Sequence, residues 1–244
     1  MLLEDSVKKE PTMERHFQKE LEGLKTSLIK MGSVVEESIK LSTHAFLTGD
    51  MELAQRVIDS DNRINSLELE IDNAIIDLLA LQQPVARDLR FIIAAQKINN
   101  DLERLGDHAV NIAESAVTMK KLPYIEILDE IPTMADVSQK MLKDALDGFI
   151  LLDAALARSV LISDDQIDEM NRQVTKDVIE LLKPNPQLIE CGLELIRVSR
   201  NLERVADLTT NIAEEVIFQT QARVVKHHAE EKTDPPLLED KRSR

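Results

Sequence analysis

Apolar residues recur along most of the chain at alternating intervals of three and four residues. The first such series begins at Phe17 and continues to Phe46, and the next two span residues 53–81 and 91–119. This spacing is a heptad seam, which is typical of a long helix with one buried face. The first half of the chain is therefore predicted to form three long helices.

Residues that stop or start helices separate these series. Gly49 is a candidate helix stop, Asp50 a candidate N-cap, and Pro84 a break before the third series. Because the connections are short, the three helices are expected to pack as an antiparallel bundle.

The second half of the chain repeats this plan, with apolar series over 134–152, 156–181 and about 188–225. Pro123 and Pro132 bracket the break between the halves, and Asp153 corresponds to the Asp50 cap. We therefore predict an all-α protein made of two antiparallel three-helix bundles, six long helices related by internal duplication. The predicted segments are a flexible N-terminal tail (1–12), a first bundle (13–121), a linker (122–132), a second bundle (133–225) and a disordered tail (226–244).

The duplication is visible in the third helix of each half. Residues 100–114 read NDLERLGDHAVNIAE and residues 200–214 read RNLERVADLTTNIAE, with eight of fifteen positions identical. Several identical residues are polar and fall at outward heptad positions, where any hydrophilic residue would serve. They are Glu103, Arg104, Asp107, Asn111 and Glu114, with their counterparts 100 residues later. This pattern favours a functional outer face, although a remnant of the duplication is the alternative.

Carboxylates are predicted to meet between the second and third helices of each half. Glu103 and Asp107 are four residues apart, so they lie on one helix face. Antiparallel pairing around Pro84 places Asp61 level with Asp107, and Asn65 level with Glu103. The same pairing in the second half joins Asp164 to Asp207 and Asp168 to Glu203.

Side chains that offer only oxygen ligands suit hard cations such as Mg²⁺, Mn²⁺, Ca²⁺ or iron. The eight residues above are therefore predicted to form two metal-binding patches. The alternative is an ordinary solvated acidic face that Arg104 and Arg204 neutralise. His108 is either a flanking ligand in one copy or a histidine at the rim.

Composition narrows the classes of partner and site. Lys and Arg number 30 against 45 Asp and Glu, a formal charge of −15, which disfavours binding to nucleic acid or anionic lipid. The single cysteine, Cys191, excludes an internal disulfide and is expected to be a core thiol. No apolar run is long enough to span a bilayer and no secretion signal is visible, so a cytoplasmic location is expected. No glycine-rich phosphate loop and no Ser/His/Asp or Cys/His set stands out.

The stretch ALQQPVARDLRFIIAAQKINNDLERLGDHAVNIAE, residues 80–114, resembles the signature of the PhoU family, the phosphate transport accessory proteins of bacteria. A weaker echo, LERVADLTTNIAE, starts at Leu202. The resemblance covers roughly residues 14–225.

This resemblance implies two side-by-side three-helix bundles with E(D)xxxD motifs that bind metal clusters at the surface. Glu103/Asp107 and Glu203/Asp207 match the motif directly, and Asp61/Asn65 and Asp164/Asp168 match it less closely because Asn65 replaces a carboxylate. The implied ions are divalent or trivalent, with iron, zinc, magnesium, manganese and calcium all open.

The resemblance also implies a regulatory role. Family members damp phosphate uptake through the ABC transporter and keep the phosphate-sensing histidine kinase quiet when phosphate is plentiful. The expected partners are therefore the transporter's ATPase subunit and that kinase, with a cytoplasmic homodimer at the inner face of the membrane. No nucleic acid is expected as a partner.

Two other functions remain open from the residues. A metal-dependent hydrolase of phosphate esters would use clustered cations as a two-metal site, but it would need a pocket that excludes water. A metal store would have little capacity, because only two small patches are predicted. The non-enzymatic adaptor is the leading hypothesis.

Overall fold

A computed structural model of the protein describes residues 10–221, with side chains described from residue 15 onward. Over this range the chain forms six α-helices and one short 3₁₀ turn, and it contains no strand. The predicted all-α class with six long helices is confirmed. The elements are α1 (Glu10–Thr48), α2 (Met51–Gln82), α3 (Ala86–Met119), α4 (Glu130–Leu151), α5 (Ala154–Leu182), the 3₁₀ turn (Pro186–Leu188) and α6 (Ile189–Gln221).

The helices form two bundles, α1–α3 and α4–α6. Helices α3 and α6 form the main contact between the bundles, and α1 and α4 form a smaller one. Helices α2 and α5 contact only the helices of their own bundle, so each lies on the outside of the molecule. The grooves that α2 and α5 form with α3 and α6 are therefore open to solvent on one side.

The heptad positions form the core, as the spacing predicts. Leu102, Leu105, Ala109 and Ile112 of α3 are fully buried. With only five Phe, one Tyr and no Trp, the core consists mostly of aliphatic side chains. An exception is the contact of Phe91 in α3 with Phe149 in α4, whose rings stack with centroids 6.2 Å apart and join the two bundles.

The first helix of each bundle is separated from the second by a short capped turn. Gly49 adopts a left-handed conformation with φ of +69°, which a side chain would disfavour. The Asp50 carboxylate then accepts a hydrogen bond of 2.9 Å from the Leu53 amide. Asp153 caps α5 in the same way and accepts from the amides of Ala155 and Leu156. Both predicted caps are confirmed.

Removing one of these caps should weaken the protein by a modest amount. We expect Asp50→Ala to lower the free energy of unfolding by about 1 kcal/mol, because the Leu53 amide loses its acceptor. Urea unfolding followed by circular dichroism measures this change. An unchanged midpoint would show that the cap contributes nothing to stability.

Helix bounds differ from the sequence prediction in two places. Helix α4 begins at Glu130, so Pro132 lies in its first turn and does not break it. Proline is tolerated there because the first amides of a helix have no intrahelical partner. Helix α1 begins at Glu10, within the tail predicted for residues 1–12. Residues 1–9 and the predicted tail 226–244 lie outside the described residues.

Cys191 is fully buried, and its thiol donates to the Pro123 carbonyl oxygen at 3.3 Å. The prediction of a core thiol is confirmed. Over residues 10–221, none of the helices combines the length and the apolar character that crossing a bilayer requires.

Candidate metal-binding grooves

The first groove runs between α2 and α3. It contains Asp61 and Asn65 from α2 and Glu103 and Asp107 from α3. The antiparallel register that the sequence predicts is confirmed, because Asp61 lies close enough to raise the pKa of both α3 carboxyls. Further along the same groove, the Gln96 amide donates to Asp72 Oδ1 at 2.9 Å.

Only one of the two carboxylate oxygens of Asp61 accepts a hydrogen bond in this groove. Its Oδ2 accepts a hydrogen bond of 2.9 Å from Asn65 Nδ2. Its Oδ1 is buried and has no hydrogen-bond partner within the described part of the chain. A buried acceptor without a donor is costly, and a cation would satisfy it. The arrangement therefore fits a positively charged ligand.

The α3 carboxyls of the first groove are held close to other negative charge. Burial raises the pKa of Glu103, and the charges of Asp107, Glu68 and Asp61 raise it further. Burial also raises the pKa of Asp107, with Asp61 as the next cause. Like charges that repel each other are stabilised by a shared cation, so the electrostatics also fit a metal ion.

The second groove runs between α5 and α6 and contains Asp164, Asp168, Glu203 and Asp207. Burial raises the pKa of Glu203, Arg204 opposes this, and Asp207 and Asp168 add to it. The second groove therefore repeats the close set of carboxyls found in the first.

Guanidinium groups already partner the second groove. Arg204 Nη1 lies 2.7 Å from Asp207 Oδ2, and its Nε lies 3.6 Å from Glu203 Oε2. Arg172 lies 3.9 Å from Asp168. In the first groove, by contrast, the equivalent Arg104 pairs with Asp101 at 3.8 Å. The predicted neutralisation by arginine thus describes the second groove better than the first.

A cleft of about 370 Å³ opens beside the second groove. Its lining includes Asp164, Asp207 and Arg204, together with Arg104 from the first bundle. The second groove is therefore bordered by both bundles.

The carboxylates do not form a ready-made metal cage. Among the side chains that the structure describes, no three of His, Cys, Asp or Glu converge closely enough to hold an ion as they stand. Binding would require side chains to turn, for example by breaking the hydrogen bond between Asn65 and Asp61. The eight-residue assignment stays a prediction.

Two of the shared polar residues have a packing role that heptad positions did not indicate. Arg197 of α6 donates to Asn111 Oδ1 at 3.1 Å and to Glu114 Oε2 at 2.8 Å, both on α3. The counterpart of Asn111 behaves similarly, because Asn211 of α6 forms a hydrogen bond with Asp101 of α3. Glu114 is exposed, as its outward position predicts, but both residues also contact α6, which the heptad positions did not indicate.

His108 also lies between the bundles. Its Nδ1 lies within hydrogen-bond distance of Asn201 Oδ1, at 2.8 Å. A ligand role through Nδ1 would break that bond. The contact favours the interpretation of His108 as a rim residue.

Sequence reasoning missed Asp101, which is only 9% exposed. Burial raises its pKa to about 6, although Arg104 and Asn211 favour the charged form. The repeat offered a signal that this position is buried, because the equivalent residue of the second half is the neutral Asn201.

The sequence matches the family model of the PhoU domain over residues 28–116 and again over residues 131–216. The chain belongs to the PhoU family. The two matched segments fall within the two bundles, so the PhoU domain occurs twice, in agreement with the internal repeat.

Relatives and solved structures agree with this membership. A phosphate-specific transport system accessory protein PhoU homolog from Aquifex aeolicus is 38% identical over 88% of this chain and 97% of its own length. Another from Pseudomonas aeruginosa is 34% identical over 87% of this chain and 88% of its own length.

Two crystal structures of PhoU proteins are also similar. That of PhoU from Pseudomonas aeruginosa has a TM-score of 0.83 at 35% identity and covers 85% of this chain and all of its own. That of the phosphate transport system regulatory protein PhoU from Streptococcus pneumoniae has a TM-score of 0.79 at 32% identity, covering 86% of this chain and all of its own. The two-bundle architecture is thus that of PhoU.

Proposed function

We propose that this PhoU-family chain regulates phosphate uptake and phosphate-starvation signalling. Support comes from its relatives, which carry the name of accessory or regulatory proteins of phosphate transport at 32–38% identity. The proposed role is inhibitory, so the protein limits uptake when phosphate is plentiful.

The finer proposal is a non-enzymatic adaptor that binds metal ions in its two outer grooves. The observation that carries it is the buried, unpartnered Asp61 Oδ1 beside the mutually repelling Glu103 and Asp107. In the first groove Asp61, Asn65, Glu103 and Asp107 would hold the ion, and in the second Asp164, Asp168, Glu203 and Asp207 would. A bound cation would supply positive charge that neutralises these carboxylates.

The proposed partners are the ATPase subunit of the phosphate ABC transporter and the phosphate-sensing histidine kinase. The proposed location is the cytoplasm, with peripheral association at the inner membrane, and the proposed assembly is a homodimer. The relatives' description as accessory to a phosphate-specific transport system supports the transporter as a partner.

Deleting the gene tests the regulatory role. We expect phosphate-starvation genes to be expressed at high phosphate in the deletion strain, because the kinase is no longer held inactive. A reporter for such a gene, measured in the deletion strain and after complementation, gives the result. Unchanged expression at high phosphate would contradict the proposal.

An assay on the purified protein tests the alternative that it hydrolyses phosphate esters. Metal-loaded protein is incubated with a panel of phosphate monoesters and diesters, and released phosphate is measured. The adaptor proposal expects no turnover, whereas turnover that Glu103→Gln abolishes would favour the hydrolase.

A further inference from the structure

Each bundle exposes aliphatic side chains near the turn between its last two helices. In the first bundle Ile76 is 60% exposed and Ile93 is 42% exposed. In the second, the equivalent Ile179 and Leu193 are 51% and 58% exposed. The repeat thus keeps an apolar pair at positions where packing within the bundle does not require one.

The apolar pair of the first bundle continues the first groove. Asp72 and Gln96 are hydrogen-bonded across that groove, from α2 and α3 respectively. Ile76 lies one helical turn beyond Asp72, and Ile93 lies one turn beyond Gln96 in the opposite chain direction. Because the helices are antiparallel, both aliphatic side chains flank the same end of the groove.

The rest of the first groove is acidic. Its carboxylates are Asp61, Glu68, Asp72, Glu103 and Asp107. Over residues 10–221, none of these five forms an ion pair with a lysine or arginine. An apolar contact point next to unpaired negative charge is complementary to a surface that is apolar and cationic.

The second groove offers the same apolar pair with less free charge. Arg172 occupies the position equivalent to Leu69, and Arg204 pairs with Asp207. The duplication therefore provides an internal comparison, in which the apolar residues are kept and the charge is partly neutralised.

We propose that the first groove docks an amphipathic, cationic helix of a partner protein, with aliphatic residues on Ile76 and Ile93 and lysine or arginine beside Glu68 and Asp72, the two groove carboxylates outside the proposed metal set. This mode lays the apolar face of a helix into a groove, as other helix-binding proteins do. The inference rests on the proposed adaptor function, because it assigns a contact surface to it. The second groove binds the same helix more weakly.

A model peptide tests this docking site. The probe is a fluorescein-labelled helix of leucine and lysine, about 18 residues and five turns long, with a scrambled peptide of the same composition as control. Fluorescence anisotropy is measured with the full chain in EDTA, so that metal plays no part. We expect the amphipathic peptide to bind, and Ile76→Ser/Ile93→Ser to weaken binding about tenfold.

A matched variant distinguishes binding at this site from nonspecific binding to exposed aliphatic side chains. Leu151→Ser/Ile162→Ser removes two aliphatic side chains of comparable exposure that lie outside the groove, and it should bind like the wild type. If the serine variant of the groove fails to fold, Ile76→Ala/Ile93→Ala replaces it, because alanine favours helix. The pair Ile179→Ser/Leu193→Ser should weaken binding less than the first-groove pair does.

Three outcomes would overturn the inference. The scrambled peptide binds equally well, or the groove variant binds as the wild type does. Alternatively, sedimentation shows that the groove variant dissociates a dimer, which makes the face an interface between copies of the chain. None of these results alters the gene-deletion phenotype or metal uptake, so the proposed function is tested separately.

Discussion

Replacing Glu103 and Asp107 by glutamine and asparagine should abolish ion uptake by the first groove and leave the helical fold intact. The substitutions keep side-chain size and remove the two negative charges that surround the unpartnered Asp61 Oδ1. Loss of outer-sphere partners alone weakens metal affinity by roughly 10- to 100-fold, so loss of two ligands should exceed this. Isothermal titration with Mn²⁺ measures the change, and circular dichroism checks the fold.

An acidic pair on α5, outside both grooves, provides the control for this double substitution. Asp165 and Glu169 are also four residues apart, but both are exposed and lie one position along from the second groove. Asp165→Asn/Glu169→Gln removes the same charge and should leave metal binding unchanged. Equal loss in both variants would mean that the ions respond only to overall charge, which would contradict a site in the groove.

The second groove should respond in the same way to Glu203→Ala/Asp207→Ala. In the metal-free protein this variant should not be less helical, because like charges four residues apart disfavour a helix by a few tenths of a kcal/mol. Arg204 offsets part of that repulsion, so the gain in stability should be small. Elemental analysis of both double variants should find that each has lost one groove's share of the metal.

Asp101→Asn should stabilise the protein at neutral pH by about 3 kcal/mol. Burial raises the pKa of Asp101 from 3.8 to about 6 in the folded chain. Between those values the unfolded chain releases the proton and the folded chain retains it, so stability falls as pH rises. Below the lower value both states are protonated and the variant has no advantage.

Urea unfolding between pH 3.5 and 8 measures this difference. The advantage of Asp101→Asn should grow as pH rises from about 4 to 6 and stay constant above that. Asn201 already occupies the equivalent position in the second bundle, so the substitution suits its surroundings. Asp136→Asn, an exposed control, should show no such dependence. A variant that is less stable than the wild type at pH 7 would show that the ion pair with Arg104 outweighs burial.

Heptad spacing predicted the fold well because each helix buries one continuous aliphatic face. The turns were predicted correctly at Gly49, Asp50 and Asp153. A left-handed glycine and an N-capping aspartate depend only on the few residues beside them. Pro132 was misleading, because proline breaks the interior of a helix but is accommodated in its first turn.

The candidate site was predicted in its register but not in its surroundings. Antiparallel pairing around Pro84 fixed which carboxylates lie level, and no further information was needed. Spacing does not reveal how two bundles pack, so it missed the contacts of Arg197 with Asn111 and Glu114. Nor does it determine side-chain rotamers, and these decide whether Asp61 and its neighbours converge on one ion.

Anomalous diffraction from crystals of the protein grown with Mn²⁺ tests the cation-binding grooves most directly. Anomalous peaks are expected in both grooves, within about 2.5 Å of carboxylate oxygens. In the first groove Asp61, Glu103 and Asp107 should supply those oxygens, and in the second Asp164, Glu203 and Asp207 should. Well-ordered carboxylates without a peak, or Mn²⁺ bound only elsewhere, would contradict it.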